Sequence, residues 1–110
     1  MGIRYIENGY SDSLDGVIVA LCKDYCRRRE AGESISYSRR TLMEYEYINS
    51  ILIRAAAEIV GEGYADAILS EIGDRVGYAY SAIEDISEST YKTMKKEVKL
   101  NIAKKLHMLD

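Results

Sequence analysis

Not one of the 110 residues is proline. Average usage would supply about five, and without them no ring geometry forces a helix to kink or stop. A chain of this kind is expected to fold as long helices whose ends are set by glycines and polar caps. The apolar spacing agrees. Leu14, Val17, Ile18, Leu21, Cys22 and Tyr25 follow the i, i+3, i+4, i+7 rhythm of a helix with one buried face. This predicts a first helix capped by Asp12 or Ser13, carrying Arg27, Arg28 and Arg29 toward its C-terminal end and closed by Gly32.

A polar stretch from Glu33 to Ser38 precedes a second stripe of Leu42, Tyr45, Ile48, Asn49, Leu52, Ala55, Ala56 and Ile59. Ser38 is its expected N-cap and Gly61-Glu62-Gly63 its stop. A shorter third helix carries Ala65, Ile68, Leu69 and Ile72 and closes between Gly73 and Gly77. The last part reads as a brief amphipathic piece over Tyr78 to Glu84, a turn near Asp85 to Ser87, and a strong helix. That helix is capped by Ser87 and has Tyr91, Met94, Val98, Ile102, Leu106 and Leu109 at helical spacing. There is no repeat, low-complexity tract or linker. The expected fold is therefore all-α: one domain over residues 1–110, a compact bundle of four to five helices with the central helix as hub.

Several function classes fall away on residue types alone. The only histidine, His107, sits three residues from the C-terminus, so no nucleophile has a well-held base beside it. Cys22 and Cys26 lie one helical turn apart and cannot complete a four-ligand zinc site with one histidine; they read as free thiols of a reducing compartment. The acidic pairs, Glu44 with Glu46, Glu58 with Glu62 and Glu84 with Asp85, lack the Glu-x-x-His motifs of di-metal bundles. Gly61-Glu62-Gly63 lacks the context of a phosphate loop. No catalytic residues, metal or cofactor are expected. The longest aliphatic run, Val17 to Leu21, is far below the roughly 20 residues of a membrane span. The acids Glu7, Asp12 and Asp15 interrupt the start of the chain, so no secretory leader is expected and the location is read as cytoplasmic.

Binding features remain. All ten aromatic residues are tyrosine, which predicts rings at the rim of the core with hydroxyls reaching water or a partner. Charge is segregated: Glu88 to Asp110 holds six lysines against three acids, net +3, and the rest of the chain nine basic against fifteen acidic residues, net −6. Lys92, Lys95, Lys96 and Lys99 recur at three- and four-residue intervals, expected on the face opposite Tyr91, Met94, Val98 and Ile102, as one basic stripe that can meet phosphates. A second basic patch, Arg27, Arg28, Arg29, Arg39 and Arg40, brackets the turn between the first two helices; it either faces phosphates or pairs with acids such as Glu30, Glu33, Glu44 and Glu46.

The order Gly77-Tyr78, Ser81, Ile86-Ser87-Glu88-Ser89-Thr90-Tyr91, Val98 and Ile102-Ala103-Lys104-Lys105-Leu106 resembles the C-terminal helix-turn-helix of small phage-associated transcriptional regulators, which are similar to region 4 of sigma-70 factors. The resemblance covers about a third of the chain and implies a helix-turn-helix within 77–107 with Ile86 in the turn. It gives Ser89, Thr90, Lys92 and Thr93 a groove-facing role on DNA, Lys95, Lys96 and Lys99 phosphate contacts, and the N-terminal helices a dimerising or partner-binding role. Two expectations stand side by side. One is a DNA-binding transcriptional regulator. The other is a helical interaction or assembly module in which Tyr5, Tyr10, Tyr37, Tyr45 and Tyr47 form part of an interface and the lysines only solubilise.

Overall fold

The computed structural model describes residues 9–31 and 38–109. The expected Gly32 stop, the acid Glu33, the tyrosines Tyr5 and Tyr37, and the last residue, Asp110, lie outside the described residues. Within them the chain is all-α, with helices α1 (Asp12–Lys23), α2 (Tyr25–Ala31), α3 (Arg39–Val60), α4 (Glu62–Gly73) and α5 (Glu88–Lys105).

The hub is α3. The Ser38 hydroxyl accepts from the Thr41 amide at 3.2 Å and starts the helix. Gly61 ends it at φ 85° and ψ 159°, a conformation essentially closed to residues with a Cβ, and α4 begins at the next residue. A single glycine thus reverses the chain, and α3 packs most extensively on α4, then on α5 and α2. Leu52, Ala55 and Ala56 of α3 meet Ile68 and Leu69 of α4, Val98 and Ile102 of α5 and Ile18 of α1 in one core.

The single first helix read from the apolar spacing is broken at Asp24 into α1 and α2. Side chains serve backbone carbonyls on both sides of the break: Arg28 donates to the Leu21 carbonyl at 2.5 Å, and the Asn49 amide of α3 donates to the Tyr25 carbonyl at 3.1 Å. Arg28 also donates to the Asn49 side-chain oxygen at 2.7 Å, so one Arg–Asn pair ties the break to the hub. The helix starts at Asp12 with Ser11, not Asp12 or Ser13, as its cap.

Two helices end on left-handed residues that are not glycine. After α4, Arg75 has φ 55°, with Val76 N–H donating to Glu71 at 2.9 Å and Arg75 N–H to Ile72 at 3.2 Å. After α5, His107 has φ 58° with the equivalent pair of bonds, to Ala103 and Lys104. The nearby Gly73 serves packing instead. A Cβ there would sit 2.5 Å from the Lys23 Cα and 2.8 Å from the Cys22 carbonyl carbon, so α4 lies directly on the backbone at the end of α1.

Gly73→Ala is therefore expected to destabilise the protein by roughly 3 kcal/mol, because backbone cannot yield as a side chain can. Gly63→Ala, where a Cβ meets nothing within 4 Å, is expected to stabilise by about 0.5–1 kcal/mol through helix propensity. Urea denaturation of the two variants beside the parent reads both signs.

Candidate functional site: the faces of α5 and α3

Three tyrosines lie in the core rather than at its rim: Tyr10, Tyr25 and Tyr91. Each hydroxyl donates to a carboxylate: Tyr10 to Asp15 at 2.8 Å, Tyr91 to Glu71 at 2.6 Å, and Tyr25 to Asp66 in a close contact. The rings of Tyr47, Tyr64, Tyr78 and Tyr80 are exposed as expected at the rim, although the Tyr78 hydroxyl turns inward to the Ile86 carbonyl. Burial, followed by the hydrogen bond to the acid, pushes the Tyr25 and Tyr91 hydroxyls up to about 12.

Glu71, which the apolar pattern of α4 does not single out, is the buried acid at the centre of the α4–α5 connection. One carboxylate oxygen accepts from Tyr91 and from the Ser81 hydroxyl at 2.7 Å; the other accepts from the Ala82 amide at 2.7 Å. Burial alone would raise its pKa, but these three donors and the Lys95 charge outweigh it and hold the carboxyl below its usual range.

This network decides the local geometry. Ser81 and Ala82 are committed to the Glu71 carboxylate and the Tyr78 hydroxyl donates to the Ile86 carbonyl at 2.7 Å, so the stretch expected to be amphipathic over Tyr78 to Glu84 forms only the 3-10 turn Tyr78–Tyr80 and then runs on irregularly. Residues 77–107 consequently contain one α-helix, α5. The 14 residues 74–87 separate it from α4, where a helix-turn-helix joins its helices through about three or four.

The seven residues proposed for DNA divide into two groups. Ser89, Thr90, Lys92 and Thr93 are exposed on the first turns of α5, where Ser87 caps the helix by accepting from the Thr90 amide at 3.1 Å and donating to its hydroxyl at 2.9 Å. Lys92 is paired with Glu88 at 3.1 Å. The other three do not form an outward stripe. Lys95 donates to the Val76 carbonyl at 2.8 Å with its ammonium 5.1 Å from the Tyr91 ring centre, and burial lowers its pKa. Lys99 has only 14% of its side chain exposed and binds Asp15 of α1 at 2.9 Å. Lys96 is half-buried. The physical reason is the width of the contact: α5 packs on both α3 and α1, and Ala103 is buried together with Val98 and Ile102, so residues flanking the apolar stripe are covered too.

The arginine patch resolves toward pairing. Arg28 is buried in the Asn49 and Leu21 contacts. Arg29 binds Asp66 at 2.9 Å and lies over the Tyr25 ring, Arg27 meets Asp24 and the Tyr45 ring, and Arg40 meets Glu44 at 3.5 Å. Arg39 and Arg40 are exposed at the start of α3. There they line an open groove with Met43, Glu44, Tyr47 and Ile48. Met43 and Tyr47, 61% and 67% exposed, stand one turn apart on it.

Cys22 is buried, Cys26 half-buried, and both are free thiols. Burial pushes the Cys22 thiol up to about 12, far from a reactive thiolate. Among the described residues no group of three metal-ligating side chains is formed and no helix is long and apolar enough to cross a membrane. His107 is exposed just past the end of α5. Compared with known protein families, curated proteins and solved structures, the chain matches none.

Glu71→Ala leaves the Ser81 hydroxyl and the Ala82 amide without this acceptor and Tyr91 with only the Val76 carbonyl at 3.1 Å, and is expected to cost roughly 1–3 kcal/mol at pH 7. Because the folded carboxyl lies below its unfolded value of about 4.3, its contribution is fully present above that value and is lost as pH falls through the folded pKa. Glu71→Gln should therefore lose less than Glu71→Ala, and its deficit relative to the parent should shrink below about pH 4, measured as denaturation midpoints at pH 7 and pH 3.5.

Proposed function

We propose that the chain is a cytoplasmic helical interaction module, not an enzyme, whose contact surface is the outward face of α3. The observation that carries this reading is the exposure of Met43 and Tyr47 on a capped helix anchored by its opposite face to three other helices. A neighbouring apolar pair in an open groove rimmed by Arg39, Arg40 and Glu44 has the make-up of a contact patch, with an apolar centre and a charged margin. Two of the lysines that a phosphate-binding face would need are instead engaged within the molecule: Lys95 on the Val76 carbonyl and Lys99 on Asp15. The free thiols of Cys22 and Cys26 suit a reducing compartment.

A second reading, regulation of transcription by duplex DNA binding, keeps support from the exposed quartet Ser89, Thr90, Lys92 and Thr93 at the positive end of the α5 dipole. One pair of measurements separates the two. A photo-cross-linking amino acid at position 47 is expected to give a discrete adduct in the producing cell, and the same group at the exposed position 104 none. Fluorescence anisotropy with a mixed-sequence duplex is expected to show no salt-dependent binding. Duplex binding whose logarithm falls steeply with log salt, lost in Lys92→Glu, would replace the interaction reading with the DNA one.

A further inference from the structure

We infer that the partner on the α3 face is a second copy of this chain, its α3 packed antiparallel on the first about a two-fold axis passing near Asn49; this rests on the reading of α3 as a contact surface. Arg40, Glu44, Tyr47, Ile51, Arg54 and Glu58 succeed one another along α3 at intervals of four, three, four, three and four residues, the spacing of a helix-pairing seam. Their chemistry runs basic, acidic, apolar, apolar, basic, acidic. Reversed and laid against itself, that order sets Arg40 opposite Glu58 of the copy, Glu44 opposite Arg54 of the copy, and Tyr47 opposite Ile51 of the copy. A parallel copy in register sets like charge against like. The pattern is thus self-complementary in one orientation only, as a two-fold contact requires.

The surface has room for the partner helix. Beyond the groove at Met43 and Tyr47, a shallow depression bounded by Glu46 and Ser50 leads to another lined by Ser50, Ile51, Arg54 and Lys105. Together they run along the outward side of α3 from Arg40 to Arg54, a length of about 21 Å at the helical rise. One turn beyond Arg54, Glu58 is held by Asn101 at 2.9 Å and by Lys105 at 2.9 Å, and Lys105 itself lines the last depression; Arg40 of the copy would arrive there. One helix per copy buries less than the roughly 800 Å² per partner of a standard interface. The dimer should therefore dissociate at micromolar concentrations rather than nanomolar.

Sedimentation equilibrium of the full chain tests this. The native protein is expected to approach the dimer mass as concentration rises from about 1 μM to about 1 mM. Glu44→Arg and Arg54→Glu, both at exposed positions, should each weaken association at least about tenfold, equivalent to about 1.4 kcal/mol. The double variant carrying both changes should recover most of the loss, since the pair is restored with its sign reversed. Circular dichroism confirms that all three variants remain helical. A native protein monomeric throughout this range, or dimerisation unaffected by either reversal, overturns the inference. A photo-cross-linker at position 51 separates the two levels of the argument. An adduct of twice the chain mass supports the second copy, an adduct of another mass overturns the second copy while keeping the contact face, and no adduct at 47 or 51 overturns both.

Discussion

The carboxylate of Glu71 is the contact on which the C-terminal half of the molecule depends. It is a charge placed where water is scarce, and it is tolerable only because Tyr91, Ser81 and the Ala82 amide all donate to it with Lys95 nearby. Those partners come from the 3-10 turn region and from α5, so satisfying one acid sets both the path of the connection and the rotation of α5 about its own axis. Once Tyr91 points at Glu71, Val98 and Ile102 follow into the core, and Lys95 and Lys99 are carried to the flanks, where Val76 and Asp15 receive them. The same device recurs with Asp15 and Asp66. In a chain without phenylalanine or tryptophan, each large buried ring brings a hydroxyl that needs an acceptor, and three acids supply them.

Much of this fold was legible in the residues. Period-3.6 stripes located the long helices, Ser38 and Ser87 were recognisable caps, and the glycine after Val60 marked a real reversal. These features are local, governed by residues a few positions apart. What escaped is non-local. Gly73 looks like a turn glycine until Lys23 is known to lie against it. The break at Asp24 depends on Asn49, more than twenty residues away, and nothing in the apolar rhythm of Leu14 to Tyr25 announces it. Asn49 itself was a clue: an amide inside an otherwise apolar stripe needs a polar partner, and Arg28 is that partner.

The candidate site was read less well than the fold, for an identifiable reason. The spacing of the lysines places them opposite the apolar residues of α5 only if that helix has one narrow buried face. Contact with both α1 and α3 widens the buried wedge, and the flanking lysines become internal partners rather than a phosphate-facing surface. The α3 stripe shows the converse. Its buried side was legible as a core face, while Met43 and Tyr47 on the other side carry exposed apolar surface. Arg39, Arg40 and Glu44 border them, so the face is apolar enough to be covered and charged enough to choose its orientation.

The rotation of α5 is the point on which the fold and the functional reading both turn, and lysine accessibility reports it directly. Limited acetylation of the native protein, read position by position by mass spectrometry, is the measurement to make. Lys99, with its side chain 14% exposed and bound to Asp15, should label far more slowly than Lys92, whose side chain is 71% exposed, and the difference should vanish on denaturation. Equal labelling of Lys92 and Lys99 in the folded protein would contradict the account, because the lysine stripe would then face outward and be available to phosphate.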